Sequence, residues 1–168
     1  MIRSILGVLG ILGLSWFLFS YNYLDSQANH LNLVGTKLNS LPSGPHTKDY
    51  TFDPKKYTLF IRWEPWSPNS MMSISTNNIL FKNMSEKINI IGICSQWDDG
   101  IREIKRARIS FPIMFDQTMT IDRAFNSKKL PFYVLIDTEK EIIWQGTSIT
   151  DQQLTEIIFS ANFSVVCL

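Results

Sequence analysis

Apolar and polar positions divide the chain into three unlike stretches. From Ser4 to Leu24 no residue is charged, and the run ILGVLGILGLSWFLF lies inside this stretch, with Arg3 on one flank and Asp25 on the other. Those 21 uncharged residues are long enough to cross a bilayer as a helix. Residues 25–56 are polar and broken by Pro42, Gly44, Pro45 and Pro54, which reads as a spacer with one short strand near Leu31–Val34. After Lys56 the pattern becomes an alternation of strand-like and helix-like segments.

That alternation begins with an aromatic and aliphatic strand at Tyr57–Trp63. A helix over Ser67–Met84 follows, with Ser67 as N-cap, Pro68 in the first turn, and Met71, Ile74, Phe81 and Met84 roughly on one face. The nearly continuous apolar run Lys87–Cys94 predicts a buried central strand. Asp98 is placed to cap a helix through Ile101 and Ile104 that closes on Lys105, Arg106 and Arg108, where the helix dipole favours cations. A short strand at Pro112–Phe115, a brief helix near Ile121–Phe125 and strands at Tyr133–Ile136 and Glu141–Gln145 come next. The turn Asp137–Lys140 is short enough to make the last two strands an antiparallel hairpin. Thr150-x-x-Gln153 is a capping box opening a final helix with Leu154, Ile157, Ile158 and Ala161 on its apolar face. The order βαβαβ, small helix, ββα predicts an α/β domain, a central mixed sheet flanked by helices.

Composition narrows the function classes. At 168 residues the chain has room for one domain of ordinary size. Sixteen Lys and Arg against 15 Asp and Glu give a net charge of +1, too little to suggest a nucleic-acid partner. Two cysteines, Cys94 and Cys167, cannot make a disulfide scaffold or a four-thiolate zinc site. The only histidines, His30 and His46, both precede the domain, so a serine nucleophile there has no histidine base from the domain itself and no transition-metal site is implied. Asn83-Met84-Ser85 and Asn162-Phe163-Ser164 fit the glycosylation pattern, which carries meaning only in a eukaryotic secretory pathway.

The apolar leader is read as a membrane anchor at residues 4–24, with a cleaved signal sequence as its rival because Ser26-Gln27-Ala28 offers a small-x-small site. Trp16, Tyr21 and Tyr23 lie where an aromatic belt would meet the membrane surface. With Arg3 as the only charge before the apolar run, the positive-inside tendency keeps the short N-terminus in the cytosol and places the rest on the extracytoplasmic side, periplasmic or luminal. The chain thus divides into an anchor at 1–24, a spacer at 25–56, a domain at 57–163 and a tail at 164–168.

Three stretches, in this order, resemble the membrane-tethered thioredoxin-like proteins of the TlpA/ResA/DsbE kind. Trp63-Glu64-Pro65-Trp66-Ser67-Pro68-Asn69-Ser70 is similar to the family's W-x-x-W-C-x-x-C. Phe111–Asp116 (FPIMFD) resembles its F-P-V-x-x-D segment, and Leu130-Pro131-Phe132 running into YVLID resembles its cis-proline loop and following strand. The resemblance spans about Tyr57 to Phe159 and implies a thioredoxin-like fold behind an N-terminal transmembrane helix.

Against that pattern, Ser67 and Ser70 stand where the family has its two redox cysteines. Thiol–disulfide exchange needs an attacking thiolate and a resolving partner, and a hydroxyl supplies neither. Ile61 stands where thioredoxins commonly bury an acid, and Met71, Met72 and Ser73 replace the residues expected after the second cysteine. Ser67 and Ser70 are then vestigial redox positions with the structural work of helix-cap and first-turn hydroxyls. Cys94 ends the strand expected beside Trp63 and is either a small buried apolar residue or a reactive thiol. Arg62 is unusual on a covered strand, and its head is expected at the sheet's rim unless the register differs by one.

The resemblance implies a client groove beside the cis-proline, with an apolar rim formed by Trp63, Trp66, Pro68, Leu130, Pro131 and Phe132 and flanked by Lys128 and Lys129. For Trp63 core packing is an equal alternative. The expected function is a redox-inactive, membrane-anchored binding or assembly module for another envelope protein, with no cofactor and no metal. Two alternatives stay open: thiol–disulfide chemistry through Cys94 or a partner's cysteine, and a structural subunit of a membrane complex.

Overall fold

The computed structural model describes residues 32–166 apart from 40, 42, 43, 48, 49, 117, 118, 126 and 127. The apolar leader at 4–24, Leu31 of the expected short strand and Cys167 lie outside the described residues. Among the described residues no helix is long and apolar enough to cross a membrane.

Five strands, β1 (Thr58–Arg62), β2 (Asn89–Cys94), β3 (Ile113–Phe115), β4 (Phe132–Ile136) and β5 (Ile142–Gly146), form one sheet in the order β3-β2-β1-β4-β5. β1, β2 and β3 are parallel, while β4 runs antiparallel to β1 and β5 antiparallel to β4. The mixed sheet predicted from the alternation is therefore present, and the Asp137–Lys140 turn does join a hairpin. Among the described residues there are four helices, α1 (Pro68–Met84), α2 (Trp97–Arg106), α3 (Thr120–Phe125) and α4 (Asp151–Val166).

Because strand side chains alternate between faces, β1 sends Leu59 and Ile61, followed by Trp63, to one cluster and Phe60 to another. The first cluster lies under α1, α2 and α4, which contribute Ile74, Leu80 and Met84, then Ile101 and Ile104, then Leu154 and Ile157. The second is covered by Phe125 of α3 and by Leu33, Leu38, Leu41, Tyr50 and Phe52. The described part of the polar stretch before β1 is thus a cover for the sheet's second face. No strand forms at residues 32–34; residues 34 and 35 make a turn, with Gly35 at φ 87°.

This cover also closes both edges of the sheet. Gly35 N donates to Ile142 O at 2.8 Å, and Ile142 N donates to Thr36 O at 2.9 Å, along β5. At the opposite edge Thr47 N donates to Ile113 O at 3.0 Å and Phe115 N to Pro45 O at 3.1 Å, along β3. Exposed strand edges invite pairing with other chains, and covering them removes that hazard. Asn89 fixes the end of the cover: its Oδ1 accepts from Tyr50 OH (2.8 Å) and Asp53 N (3.2 Å), while its Nδ2 donates to Asp53 O (2.8 Å) and Thr58 Oγ1 (3.1 Å). Burial and the Asp53 charge push the Tyr50 hydroxyl up to about 12.

Helix ends differ in how fully the sequence announced them. At α4 the box is reciprocal: Gln153 N donates to Thr150 Oγ1 at 3.2 Å, and Thr150 N donates to Gln153 Oε1 at 3.0 Å. At α2 the N-cap is Gln96, without a side-chain capping bond, and Asp98 sits inside the first turn beside Asp99. Asp98 thus meets the helix dipole from within the helix, and Arg108 lies beyond its end at φ 52°.

Gly92 of β2 is where the core is tightest. A Cβ there would lie 2.2 Å from Ile113 Cδ1, 2.8 Å from Phe111 Cε2 and 3.2 Å from Trp63 Nε1. The Gly92→Ala variant is expected to lose about 2–3 kcal/mol of stability by overpacking. Urea denaturation checks this, and an unchanged midpoint would show that these side chains move aside at little cost.

Candidate functional site

The turn between β1 and α1 is built from its own polar groups. Ser67 is the N-cap of α1, and its Oγ accepts from Ser70 N at 3.3 Å. Ser67 N donates to Glu64 O at 3.1 Å, and Glu64 N donates to Ser70 Oγ at 3.4 Å. Ser70 is wholly buried, and both hydroxyls act as hydrogen-bond acceptors that close the turn. An N-cap of this kind is worth about 1 kcal/mol, because it satisfies amides that the helix leaves unpaired.

Glu64, quoted in the sequence only as part of a motif, carries a role that the motif did not reveal. It is 1% exposed, and its Oε1 accepts from Ser95 N (2.9 Å) and Ser95 Oγ (2.6 Å). Its Oε2 accepts from Cys94 Sγ at 3.6 Å. The carboxylate therefore joins the C-terminal ends of β1 and β2. A charged residue between Trp63 and Pro65 at the end of an apolar strand was the available clue.

Cys94 is fully enclosed, with its Sγ also 3.4 Å from Gln96 O and in the space that a Cβ on Gly100 would touch at 3.1 Å. Burial first, then the Glu64 carboxylate, push its thiol up from 9.0 to about 12. Among the described residues it is the one cysteine, and it is unpaired with another. This is the setting of a protonated packing residue, whereas a reactive cysteine needs an accessible thiolate.

Beside the turn an open cleft of about 670 Å³ runs between the start of α1, the Leu130–Pro131 loop and the β5–α4 connection. The Leu130–Pro131 peptide is cis, as the resemblance implied. Of the expected rim, Trp66, Leu130 and Pro131 line the cleft together with Ser67. Trp66 is 63% exposed and Met72, one turn into α1, is 77% exposed.

Two expected rim residues are core residues instead. Trp63 is 1% exposed because it continues the inward alternation of Leu59 and Ile61, and Phe132 is buried in the second cluster as the β4 partner of Arg62. Trp63's indole N–H finds no acceptor among the described residues. Pro68 is exposed at the start of α1 but does not line the cleft. Arg62 is buried at 8% exposure in the expected register, so its side chain stays within the fold.

The sequence reading missed the cleft's other walls. Tyr133, Ser73, Thr76 and residues 147–149 line it. Tyr133 OH donates to Asn77 Oδ1 (2.8 Å), Asn77 Nδ2 donates to Ser73 Oγ (3.2 Å), and Ser73 Oγ donates to Ser70 O (2.8 Å). Burial raises the Tyr133 hydroxyl above its ordinary value, so it remains a donor. The alternation of β4 places Tyr133 opposite α1, which was the signal available for it.

Together the sheet order, the helix placement, the cis-proline loop and the β1–α1 turn make this a thioredoxin-like fold. No protein-family model matches the chain, and no curated protein matches it. Among solved structures it is similar to StoA from Bacillus subtilis, with 18% identity over 62% of this chain and 83% of that one at a TM-score of 0.55. It is similar also to a putative thiol:disulfide interchange protein DsbE from Chlorobium tepidum, with 16% identity over 73% and 99% of the two chains at a TM-score of 0.54. A secreted Mycobacterium tuberculosis disulfide oxidoreductase homologous to Escherichia coli DsbE shares 14% identity over 63% and 82% at a TM-score of 0.51. At such identities the likeness establishes the fold and leaves the chemistry to this chain's own residues.

The Cys94 environment sets a pH dependence. From about pH 9 to about 12 the unfolded chain releases this proton while the folded chain keeps it, so stability falls as pH rises through that window. Denaturation of wild type and Cys94→Ala should show a shallower alkaline decline in the variant; parallel curves would contradict the assignment. Iodoacetamide should leave Cys94 unlabelled at neutral pH in the native protein and label it in denaturant, read by peptide mapping.

Proposed function

We propose that this chain is a membrane-anchored, extracytoplasmic protein that uses a thioredoxin-like domain to bind or help assemble another envelope protein, without catalysing redox chemistry. The observation that carries this reading is the Ser67–Ser70 turn, whose two hydroxyls are committed to the backbone of the turn itself. They stand in the place of a cysteine pair, and neither can attack or resolve a disulfide. The enclosed Cys94 adds support, because its proton is held where exchange needs a thiolate. The cleft supplies the binding surface: its exposed Trp66 and Met72 are large apolar groups that gain from being covered by a partner. The uncharged run Ser4–Leu24 supports the anchor and the extracytoplasmic placement.

Two measurements test this together. The purified full chain is expected to leave the rate of insulin reduction by dithiothreitol unchanged, and acceleration abolished by Cys94→Ala would overturn the redox-inactive reading. In affinity capture from native membranes, Trp66→Ala is expected to lower recovery of the retained partner by about tenfold, within the range of an aromatic hot spot. Its effect on stability should stay within about 0.5 kcal/mol, as for other exposed substitutions. Equal recovery would remove the cleft from the proposal.

A further inference from the structure

Five of the chain's six methionines fall among the described residues, and their surroundings differ sharply. Met84 and Met114 are enclosed in the two core clusters, and Met71 packs against the first of them. Met119, just ahead of α3, is 44% exposed. Met72 is 77% exposed and lines the cleft together with Trp66 and Leu130. The period of α1 explains the contrast between neighbours: Ser70, Ile74 and Asn77 turn inward at spacings of four and three, so position 71 borders the buried face and position 72 looks outward.

Met72 is also the most accessible sulfur among the described residues, because the Cys94 thiol is enclosed. A thioether standing in water needs no neighbouring base to react with a peroxide, and its susceptibility follows its exposure. The sulfur lone pair attacks one peroxide oxygen, an S–O bond forms and the O–O bond breaks. With hydrogen peroxide the proton on the transferred oxygen passes to the departing one, which leaves as water. Sulfur is oxidised by two electrons and the peroxide is reduced by two.

The product changes what the cleft wall offers. A flexible apolar side chain becomes a polar, chiral sulfoxide, the change that disrupts methionine-rich contacts. A partner that covers Met72 with apolar groups would then bury an acceptor that it cannot satisfy.

We propose that Met72 is an oxidation site, at which peroxide forms the sulfoxide and so weakens the cleft's hold on its partner until a methionine sulfoxide reductase restores the thioether. This rests on the binding reading above and adds regulation of that same site. In the reverse step a dithiol of the reductase supplies two electrons, becoming a disulfide, and the oxygen leaves as water.

To test this, the purified full chain in detergent is treated with hydrogen peroxide, cleared of it with catalase, and divided between peptide mapping and affinity capture from native membranes. Mapping is expected to find the sulfoxide at Met72 ahead of Met119, with Met84 and Met114 unmodified at the same dose. The band that wild type retains and Trp66→Ala loses should fall about tenfold with the oxidised chain, on the scale of one unsatisfied buried acceptor. Treatment with reductases for both sulfoxide epimers should restore it. Met72→Leu, compared with itself before and after peroxide, should show no change. Met72→Gln, polar and of similar length, should show the lowered recovery without any peroxide. Oxidation of Met84 or Met119 ahead of Met72, or an equal peroxide-dependent loss in Met72→Leu, would overturn the inference. Undiminished recovery by the chain oxidised at Met72 would also overturn it, and leave the binding reading standing as long as Trp66→Ala loses the band. A band that Trp66→Ala keeps, or no band retained by wild type, would overturn both.

Discussion

The buried carboxylate of Glu64 is the contact on which the site depends. It bridges the ends of two parallel strands through Ser95, and in the same position it faces Cys94. Taking a carboxylate out of water is costly unless hydrogen bonds replace the lost hydration, and three donors from residues 94 and 95 supply them. With the strand ends joined, the backbone of Glu64 receives Ser67 N and gives its own N–H to Ser70, which sets the first turn of α1. Trp63, immediately before it, turns into the core over Gly92, and Trp66, three residues later, stands in solvent. A single short segment thus sends one indole into the core and leaves one in solvent.

The same geometry separates scaffold from chemistry. At the β1–α1 turn this chain spends its hydroxyls on the helix cap, and its nearby thiol is enclosed beside the Glu64 carboxylate. What is left at the surface is a hollow with an aromatic wall, a cis-proline floor and two lysines. Function resides in the site and not in the architecture, so the fold by itself assigns no chemistry to this surface.

Much of the architecture could be read from local rules. Ser67-Pro68 and Thr150-x-x-Gln153 marked two helix starts because capping is a contest settled within four residues. The run ending at Cys94 marked a central strand because both of its faces are covered. The cover over the second face was hidden, since Leu33, Leu38, Leu41, Tyr50 and Phe52 follow neither helical nor strand spacing and are ordered by hydrogen bonds to β5, β3 and Asn89. Within the site, Trp66, Leu130 and Pro131 were legible from the motifs. Phe132 was misplaced because one step along a strand exchanges the rim for the core. Glu64 and Tyr133 were missed because their roles arise from contacts with residues 94–95 and 77, far away in the chain.

The proposed function, association with a partner protein through the Trp66 cleft and without sulfur chemistry, is open to one direct measurement. Photo-crosslinking in native membranes tests it most directly, with a benzophenone side chain placed at position 66, at position 130, and, as a control, at the exposed position 159 on α4. One common adduct is expected from positions 66 and 130, formed equally with and without prior reductant, and absent from position 159. Adducts that vanish when reductant is added beforehand, or that arise from position 159 alone, would contradict it.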